Sequence, residues 1–142
     1  MRFLFRTIFA TAVVSASVIL PPAHWGVQTS AVTQQNLKTT VCVSGYTSTV
    51  RPPVAYTNKL KSKQVIAFKY SDQVLSHYEE DHFVPLELGG APKDPHNLWP
   101  EPRAQSSVSD PLENKLHTAL CSGKITLSEA RRQIKAFKRT HG

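Results

Sequence analysis

An acidic residue stands directly before a histidine at Asp81 and His82, within the segment YEEDHFVPLELGG. Imidazole titrates near neutral pH, so His82 is a candidate general base that takes a proton from water. A carboxylate such as that of Asp81 is the kind of ligand that a hard divalent cation prefers. Hydrolysis of a phosphodiester requires both a base and a cation that neutralises the charge on the phosphate and the leaving oxygen. Asp81 and His82 are therefore candidate residues for the hydrolysis of a phosphodiester.

Three further features follow the pair in a fixed order. An apolar segment occupies residues 83–86, a Gly-Gly turn lies at residues 89–90, and the run Asn-Leu-Trp occupies residues 97–99. Taken singly, an Asp-His pair is most often a surface ion pair, and a Gly-Gly pair is an ordinary turn. Taken together and in order, the four elements of residues 78–103 resemble the HNH nuclease family, whose core is a ββα-metal finger.

The resemblance implies a metal-dependent endonuclease that hydrolyses DNA or RNA with little sequence specificity. It implies a divalent cofactor, with Mg²⁺ expected and Mn²⁺ as the alternative, and Asp81 as one of its ligands. In the family, the central asparagine braces a bent loop, a role that falls here to Asn97. A bend is needed because adjacent side chains of a regular strand point to opposite faces. The alternative function is a non-catalytic HNH-like module that binds nucleic acid or an anionic envelope polymer.

The second metal ligand is less clearly defined. HNH proteins place a histidine or asparagine near the start of the helix that follows the central asparagine, but this chain has serines at residues 106 and 107. The candidates, in order of preference, are His117, Glu113 and Asn114. Glu113 and His117 are four residues apart and share one helix face. Two other interpretations stay open: Glu113 as a capping-box partner of Asp110, and His117 as a packing histidine.

The charge balance favours an anionic partner. The chain of 142 residues has 17 Lys and Arg against 10 Asp and Glu, a formal charge of +7. Nucleic acid, DNA first, is the expected partner. Lys59, Lys61 and Lys63 stand at alternate positions and could form one positive edge. Arg51 and Arg103 are the candidates for a phosphate clamp, because a guanidinium group binds phosphate bidentately. An ordinary solvated basic surface is the alternative.

Two cysteines, Cys42 and Cys121, are far apart and lack the CxxC spacing of a zinc knuckle. In an exported protein the simplest arrangement is a disulfide bond between them. Export is expected because residues 1–23 have an Arg-containing start and an apolar run too short for a comfortable membrane span. We expect this segment to be a signal peptide or an uncleaved membrane anchor, and the mature protein to be secreted or periplasmic.

The remaining segments supply the predicted fold. Residues 24–40 are polar and predict a flexible linker, and residues 41–142 predict one HNH-like domain. We predict an α+β fold: a small ββα-metal core, an extended N-terminal strap over residues 41–57, and two C-terminal helices.

The first predicted helix covers residues 110–121 with Asp110 as N-cap. The second covers residues 126–139, with a capping box formed by Thr126 and Glu129. Its outward face is predicted to be basic and to favour nucleic acid over a merely solvated surface. This face comprises Arg131, Arg132, Lys135, Lys138 and Arg139.

Overall fold

The computed structural model describes residues 17–23 and 25–142, so most of the predicted signal peptide or anchor lies outside the described residues. Strands β1 (Tyr78–His82) and β2 (Leu98–Pro102) pair antiparallel. The helices are α1 (Tyr46–Val50), α2 (Val54–Ala67), α3 (Arg103–Cys121) and α4 (Leu127–His141). Short 3-10 helices cover Gln34–Thr39, Leu75–His77, Leu86–Leu88 and Pro95–Asn97. Mixed helix and sheet of this kind agree with the predicted α+β class. Within residues 17–23 and 25–142, no helix is long and apolar enough to cross a membrane.

The two strands form a hairpin with a long folded loop at residues 83–97. Asp81 lies opposite Trp99, and His82, the last residue of β1, lies opposite Leu98. The loop turns at Gly89, whose φ of +73° is a left-handed conformation that glycine adopts without strain. At Gly90 an added Cβ would lie 2.7 Å from Nδ2 of Asn97, so the loop closes there only without a side chain. The sequence GG therefore allows the loop to fold back onto Asn97.

Helices pack against both faces of this hairpin. On one face, Gln64 of α2 donates a hydrogen bond to the Leu98 carbonyl at 2.8 Å. On the other face, Trp99 belongs to the buried apolar core together with Leu116 of α3 and Ile134 of α4. Helices thus cover both faces of the hairpin, and a two-stranded sheet requires packing of this kind for stability.

The predicted extended strap is wrong, because the segment that follows Val43 is largely helical. α1 begins after Gly45, whose φ of +82° is left-handed, and α2 begins after Pro53. The sequence did not indicate α2 because its apolar residues are scattered around the helix and its lysines alternate with a period of two, as in a strand. Packing against β1 and β2 overrides that local pattern.

The polar segment before the domain also differs from the solvated linker that we expected. Trp25, Val32 and Leu37 are buried and belong to the core cluster. Gln28 forms an isolated antiparallel bridge with Gly90, and Gln34 Oε1 accepts a hydrogen bond of 2.7 Å from the Leu127 amide. These few contacts attach the segment to the domain, although its composition is typical of a linker.

Of the two C-terminal helices, α4 begins where it was predicted to begin and α3 begins earlier. α4 begins where expected, and the hydroxyl of Thr126 accepts a 3.2 Å hydrogen bond from the Glu129 amide. The Glu129 side chain does not return to the cap, since it accepts hydrogen bonds from Arg132 and Gln133. α3 begins at Arg103, directly after β2, so Asp110 lies inside the helix and is not its N-cap.

The predicted disulfide bond between Cys42 and Cys121 is present. The two Cα atoms are 5.6 Å apart, and the bond closes a segment of 79 residues. It ties the segment before α1 to the last residue of α3. The bond restricts the unfolded chain, and the entropy model assigns more stabilisation to longer loops.

We expect the double variant Cys42→Ser/Cys121→Ser to lose about 2–4 kcal/mol of unfolding free energy, because its unfolded chain gains conformational entropy. Urea denaturation of the oxidised wild type and of the variant measures the difference. Wild type with dithiothreitol is the control and should match the variant. Equal midpoints for the oxidised wild type and the variant would contradict this prediction.

Candidate functional site

Asp81 and His82 line one open cavity of about 210 Å³ at the end of β1. Because the strand ends at His82, regular alternation stops there and both residues reach the same cavity. α3 contributes Asp110 and Glu113 to the wall, and the segment after α1 contributes Arg51. With Glu87 from the loop after β1, the cavity therefore combines an imidazole, four carboxylic acids and a guanidinium group.

The His82 imidazole is buried, 6% exposed, and its orientation is fixed by the backbone. Its Nε2 lies 3.0 Å from the Pro92 carbonyl oxygen. A carbonyl oxygen only accepts, so Nε2 carries the hydrogen and Nδ1 keeps the lone pair. Burial, which outweighs the opposing effects of the Pro92 bond and the Asp81 charge, lowers the pKa of His82. The ring is therefore neutral at pH 7 and able to accept a proton at Nδ1.

Asn97 is fully buried and bridges the loop that follows His82. Its Oδ1 accepts a 2.9 Å hydrogen bond from the Val84 amide, and its Nδ2 donates to the carbonyls of Val84 at 3.0 Å and Ala91 at 3.1 Å. The Phe83 amide also donates to the Asn97 carbonyl at 2.8 Å. These bonds hold the backbone that follows His82 against the backbone that precedes β2. A brace of this kind is what the resemblance implies for Asn97.

A buried lysine lies behind the cavity and contradicts the outward position predicted for it. Lys138 of α4 has no exposed surface, and its ammonium group bonds Oδ2 of Asp81 and lies 2.7 Å from Oε1 of Glu113. It also donates to the His82 carbonyl at 3.0 Å and is 3.9 Å from Oε2 of Glu101. Ala130, Ile134 and Lys138 are each four residues apart, which puts Lys138 on the buried stripe of α4.

Lys138 and the three carboxylic acids around it, Asp81, Glu101 and Glu113, form one cluster. The cluster has more acids than cations, and this imbalance determines which of the acids are protonated. The pKa of Asp81 is lowered. Burial alone would raise it, but the charge of Lys138 and a hydrogen bond from Glu101 outweigh that effect. Burial and the Asp81 charge together raise the pKa of Glu101 and of Glu113. Glu101 and Glu113 are thus held as neutral acids at pH 7 unless a further cation is close. The pKa of the Lys138 ammonium is raised by its acidic neighbours despite burial.

His117, the preferred second ligand, is not brought to this cavity. Its Nε2 donates to the Val41 carbonyl at 2.8 Å, and its Nδ1 is 3.8 Å from Oε2 of Glu87. It lines a separate cavity beside the disulfide bond, together with residues 41–47. His117 is four residues beyond Glu113, about 6 Å along the helix axis, and this shift separates the two side chains. Glu113 and Asn114, the other candidates, line the cavity of His82.

The residues predicted to bind nucleic acid are dispersed. Arg51 lines the cavity of His82. Arg103 donates from Nε to the Ser76 carbonyl at 2.9 Å and lies 3.3 Å from Glu79. The positive edge predicted from Lys59, Lys61 and Lys63 is wrong, because residues at alternate positions of a helix do not share a face.

Lys61 is buried in α2, where its ammonium group donates to the Tyr78 carbonyl at 3.0 Å, so it is not available to phosphate. Lys59 and Lys63 are exposed and four residues apart, and so they share a helix face.

Glu80, next to the site on the opposite face of β1 from Asp81, is a half-buried residue whose two carboxyl oxygens are buried. Neither of its carboxyl oxygens has a hydrogen-bond partner among the described residues. Burial, opposed by Lys61 and reinforced by Asp81, raises the pKa of Glu80 to about 8 from 4.5. The folded state therefore binds the Glu80 proton more tightly than the unfolded state does. The stability that protonated Glu80 contributes is complete below pH 4.5 and is lost as the pH rises through about 8.

We therefore expect Glu80→Gln to be more stable than the wild type at pH 8.5 by about 1–2 kcal/mol, and equal to it near pH 4. Thermal unfolding across this range in EDTA measures the difference. Glu129→Gln is the opposite-sign control, because bonds from Arg132 and Gln133 lower the pKa of Glu129 to about 2. That control should be less stable than the wild type at pH 8.5. A Glu80→Gln variant that follows the wild type at every pH would rule out the buried neutral acid.

Sequence reasoning did not assign Asp110, Glu101 or Lys138 to the site. Asp110 was interpreted as a helix cap, although its distance of three residues from Glu113 would place both on one helix face. Glu101 lies opposite Glu79 in the hairpin register, which is fixed only by tertiary structure. Lys138 could have been found from the spacing of four that continues the buried stripe.

No family model matches the chain, and no curated protein or solved structure matches it. The interpretation of the cavity therefore depends on its own geometry and chemistry, together with the local motif in the sequence.

Proposed function

We propose that the protein is a metal-dependent endonuclease of the HNH type, which hydrolyses phosphodiester bonds of DNA, or of RNA, with little sequence specificity. The observation that carries this proposal is the 3.0 Å contact between Nε2 of His82 and the Pro92 carbonyl, which assigns the acceptor role to Nδ1, in a cavity lined with carboxylic acids. The order of strand, folded loop, strand and helix supports the same family.

The reaction uses side chains that line the cavity. His82 accepts a proton at Nδ1 from a water molecule, whose oxygen forms a bond to phosphorus. The bond between phosphorus and the bridging ester oxygen then breaks, and solvent supplies the proton to the leaving oxygen. Arg51 is suited to contact a nonbridging phosphate oxygen, because guanidinium groups bind phosphate strongly. Asn97 holds the loop so that the imidazole keeps its position.

The donor set fits a hard divalent cation such as Mg²⁺ or Mn²⁺. Asp81, Asp110 and Glu113 offer carboxyl oxygens around one cavity, with Glu87 beside them. Lys138 balances the charge of Asp81, and a divalent cation in the cavity would favour the ionised form of the remaining acids. Such an ion would neutralise the charge that develops on the phosphate and on the leaving oxygen. Of the predicted ligands, Asp81 and Glu113 would hold it, and Asp110 would take the place that we had assigned to His117.

Export is part of the proposal. A disulfide bond persists in oxidising compartments and is uncommon in the cytosol, so Cys42–Cys121 supports a secreted or periplasmic protein. The net charge of +7 favours a polyanionic substrate.

Plasmid cleavage by the oxidised protein tests the proposal. Supercoiled DNA is incubated with Mg²⁺, with Mn²⁺, or with EDTA, and conversion to open circles is followed on a gel. We expect nicking with either metal and none with EDTA. Cleavage that persists in EDTA, or no cleavage with either metal, would contradict the proposal.

One observation favours the non-catalytic alternative. Lys138 already bonds Asp81 and approaches Glu113, so an internal cation satisfies part of the acidic cluster without a metal. A module that only binds nucleic acid or an anionic envelope polymer would bind DNA in a salt-sensitive way and show no metal-dependent turnover.

A further inference from the structure

A groove of about 760 Å³, larger than the cavity of His82, runs along α4. Val32 and Leu127, which are nearly fully buried, contribute apolar atoms to its lining, and Arg131, Lys135 and Arg139 line it at intervals of four residues. Among the described residues that line this groove, which we call the α4 groove, none is acidic. The α4 groove therefore has a continuous row of positive charge beside these apolar atoms.

Arg131 is held rigidly by neutral partners. Its guanidinium group donates to the carbonyls of Leu88 at 2.8 Å and Gly89 at 3.2 Å, and to Oε1 of Gln28 at 2.9 Å. None of these acceptors carries a charge, so the bonds fix the group without compensating its charge. Arg131 thus gives the α4 groove a preorganised positive end, and its loss would also disturb the loop at Gly89.

The other cations differ in how far they are compensated. Arg132 forms two bonds with Glu129, at 2.9 and 2.7 Å, and its charge is thereby neutralised locally. Lys135 is half-buried, and burial together with the charges of Arg139 and Arg131 lowers its pKa. An anion bound between these positive groups would reduce their mutual repulsion, so its binding is electrostatically favourable.

One end of the α4 groove lies close to the residue that follows β1. The Arg139 guanidinium lies over the Phe83 ring, 5.7 Å from its centroid, in a cation–π contact. Phe83 directly follows His82, and Arg139 directly follows Lys138, which bonds Asp81 on the inner side. The same two chain segments therefore form the catalytic cluster inside and the end of the α4 groove outside.

We propose that the α4 groove binds the phosphate backbone of a nucleic-acid strand, with Lys135 and Arg139 contacting phosphates and Arg131 fixing the path. The identity of the polyanion rests on the proposed function, whereas the binding itself does not require cleavage. The contacts involve the backbone only, so they add affinity without sequence preference. An anionic lipid surface presents similar phosphates, and the test separates it from DNA.

Fluorescence anisotropy of a short labelled DNA duplex, measured in EDTA so that no hydrolysis occurs, tests this proposal. We expect Lys135→Gln/Arg139→Gln to bind at least about tenfold more weakly than the wild type at about 100 mM salt. Its slope of log affinity against log salt should also fall by about two. The matched control is Lys38→Gln/Lys124→Gln, which removes the same charge at exposed positions outside the α4 groove. We expect the control to bind like the wild type, and Lys135→Gln alone to lie between them.

Three results would overturn the proposal: wild-type affinity in the double variant, an equal loss in the control, or no DNA binding by the wild type. Vesicles that contain phosphatidylglycerol form a parallel arm. If the double variant loses vesicle binding but keeps DNA binding, the α4 groove is a lipid site and the proposal is wrong. Cleavage is assayed separately with Mg²⁺. If the protein is a nuclease but the α4 groove does not bind DNA, the double variant keeps wild-type affinity while the wild type cleaves. If the α4 groove binds DNA but the protein is not a nuclease, affinity falls in the double variant and neither protein cleaves.

Discussion

His82→Ala should cleave plasmid DNA about 10²–10⁴ times more slowly than the wild type, because the proposed site then has no general base. Its DNA binding in EDTA should be unchanged, since His82 is a buried group that serves proton transfer. The initial rate of nicking at saturating Mg²⁺ measures the effect. His77→Ala is the matched control, because this exposed histidine pairs with Asp72 away from the cavity.

Removal of a buried side chain can also weaken the fold, so a second variant is needed. In His82→Gln the amide nitrogen can still donate to the Pro92 carbonyl, but the side chain cannot act as a base near pH 7. We expect His82→Gln to unfold close to the wild-type temperature and to be as inactive as His82→Ala. A folded His82→Gln protein with wild-type activity would eliminate His82 as the base.

Lys138→Met should lose about 3–5 kcal/mol of unfolding free energy, although the new side chain has a similar shape. The variant removes the ammonium group that bonds Asp81 and Glu113, and it leaves the Asp81 charge uncompensated in a buried cluster. Urea denaturation at pH 7 in EDTA measures the change. Lys115→Met, at an exposed position of α3, is the control and should change the free energy by about 0.5 kcal/mol or less.

A double-mutant cycle separates the charge effect from packing. If Lys138 acts by compensating Asp81, then Asp81→Asn should recover part of the stability that Lys138→Met loses. The coupling energy should therefore be large, on the order of 1–3 kcal/mol. A Lys138→Met protein as stable as the control, or two substitutions with additive effects, would show that the cluster does not depend on this pair.

The parts of the fold that local sequence determines were predictable. The Thr126 cap and the apolar stripe of Leu127, Ala130 and Ile134 locate α4, because a helix start and a period near 3.6 are both local signals. The pairing of Cys42 with Cys121 followed from their number and the expected compartment. Asp81 and His82 do reach one cavity, at the strand end where the bend was expected.

The parts that depend on partners distant in sequence were not predictable. α2 lacks a clear apolar face, and it is stabilised by contacts such as those of Lys61 and Gln64 with the hairpin backbone. The spacing of four continues the buried stripe to Lys138, but its partner Asp81, 57 residues earlier in the chain, is fixed only by the tertiary fold. The predicted second ligands are His117, Glu113 and Asn114, and Asp110 is not among them, because only the path of α3 determines which side chains reach the cavity.

The central claim is that His82 and the carboxylates around it hydrolyse phosphodiesters with a divalent cation. The most direct test measures plasmid nicking by wild type and His82→Ala, purified identically and assayed in parallel with Mg²⁺ and with EDTA. We predict rapid nicking by the wild type with Mg²⁺ and near-background rates in the other three reactions. Equal nicking by the two proteins with Mg²⁺ would assign the cleavage to another site or to a contaminant, and would contradict the account.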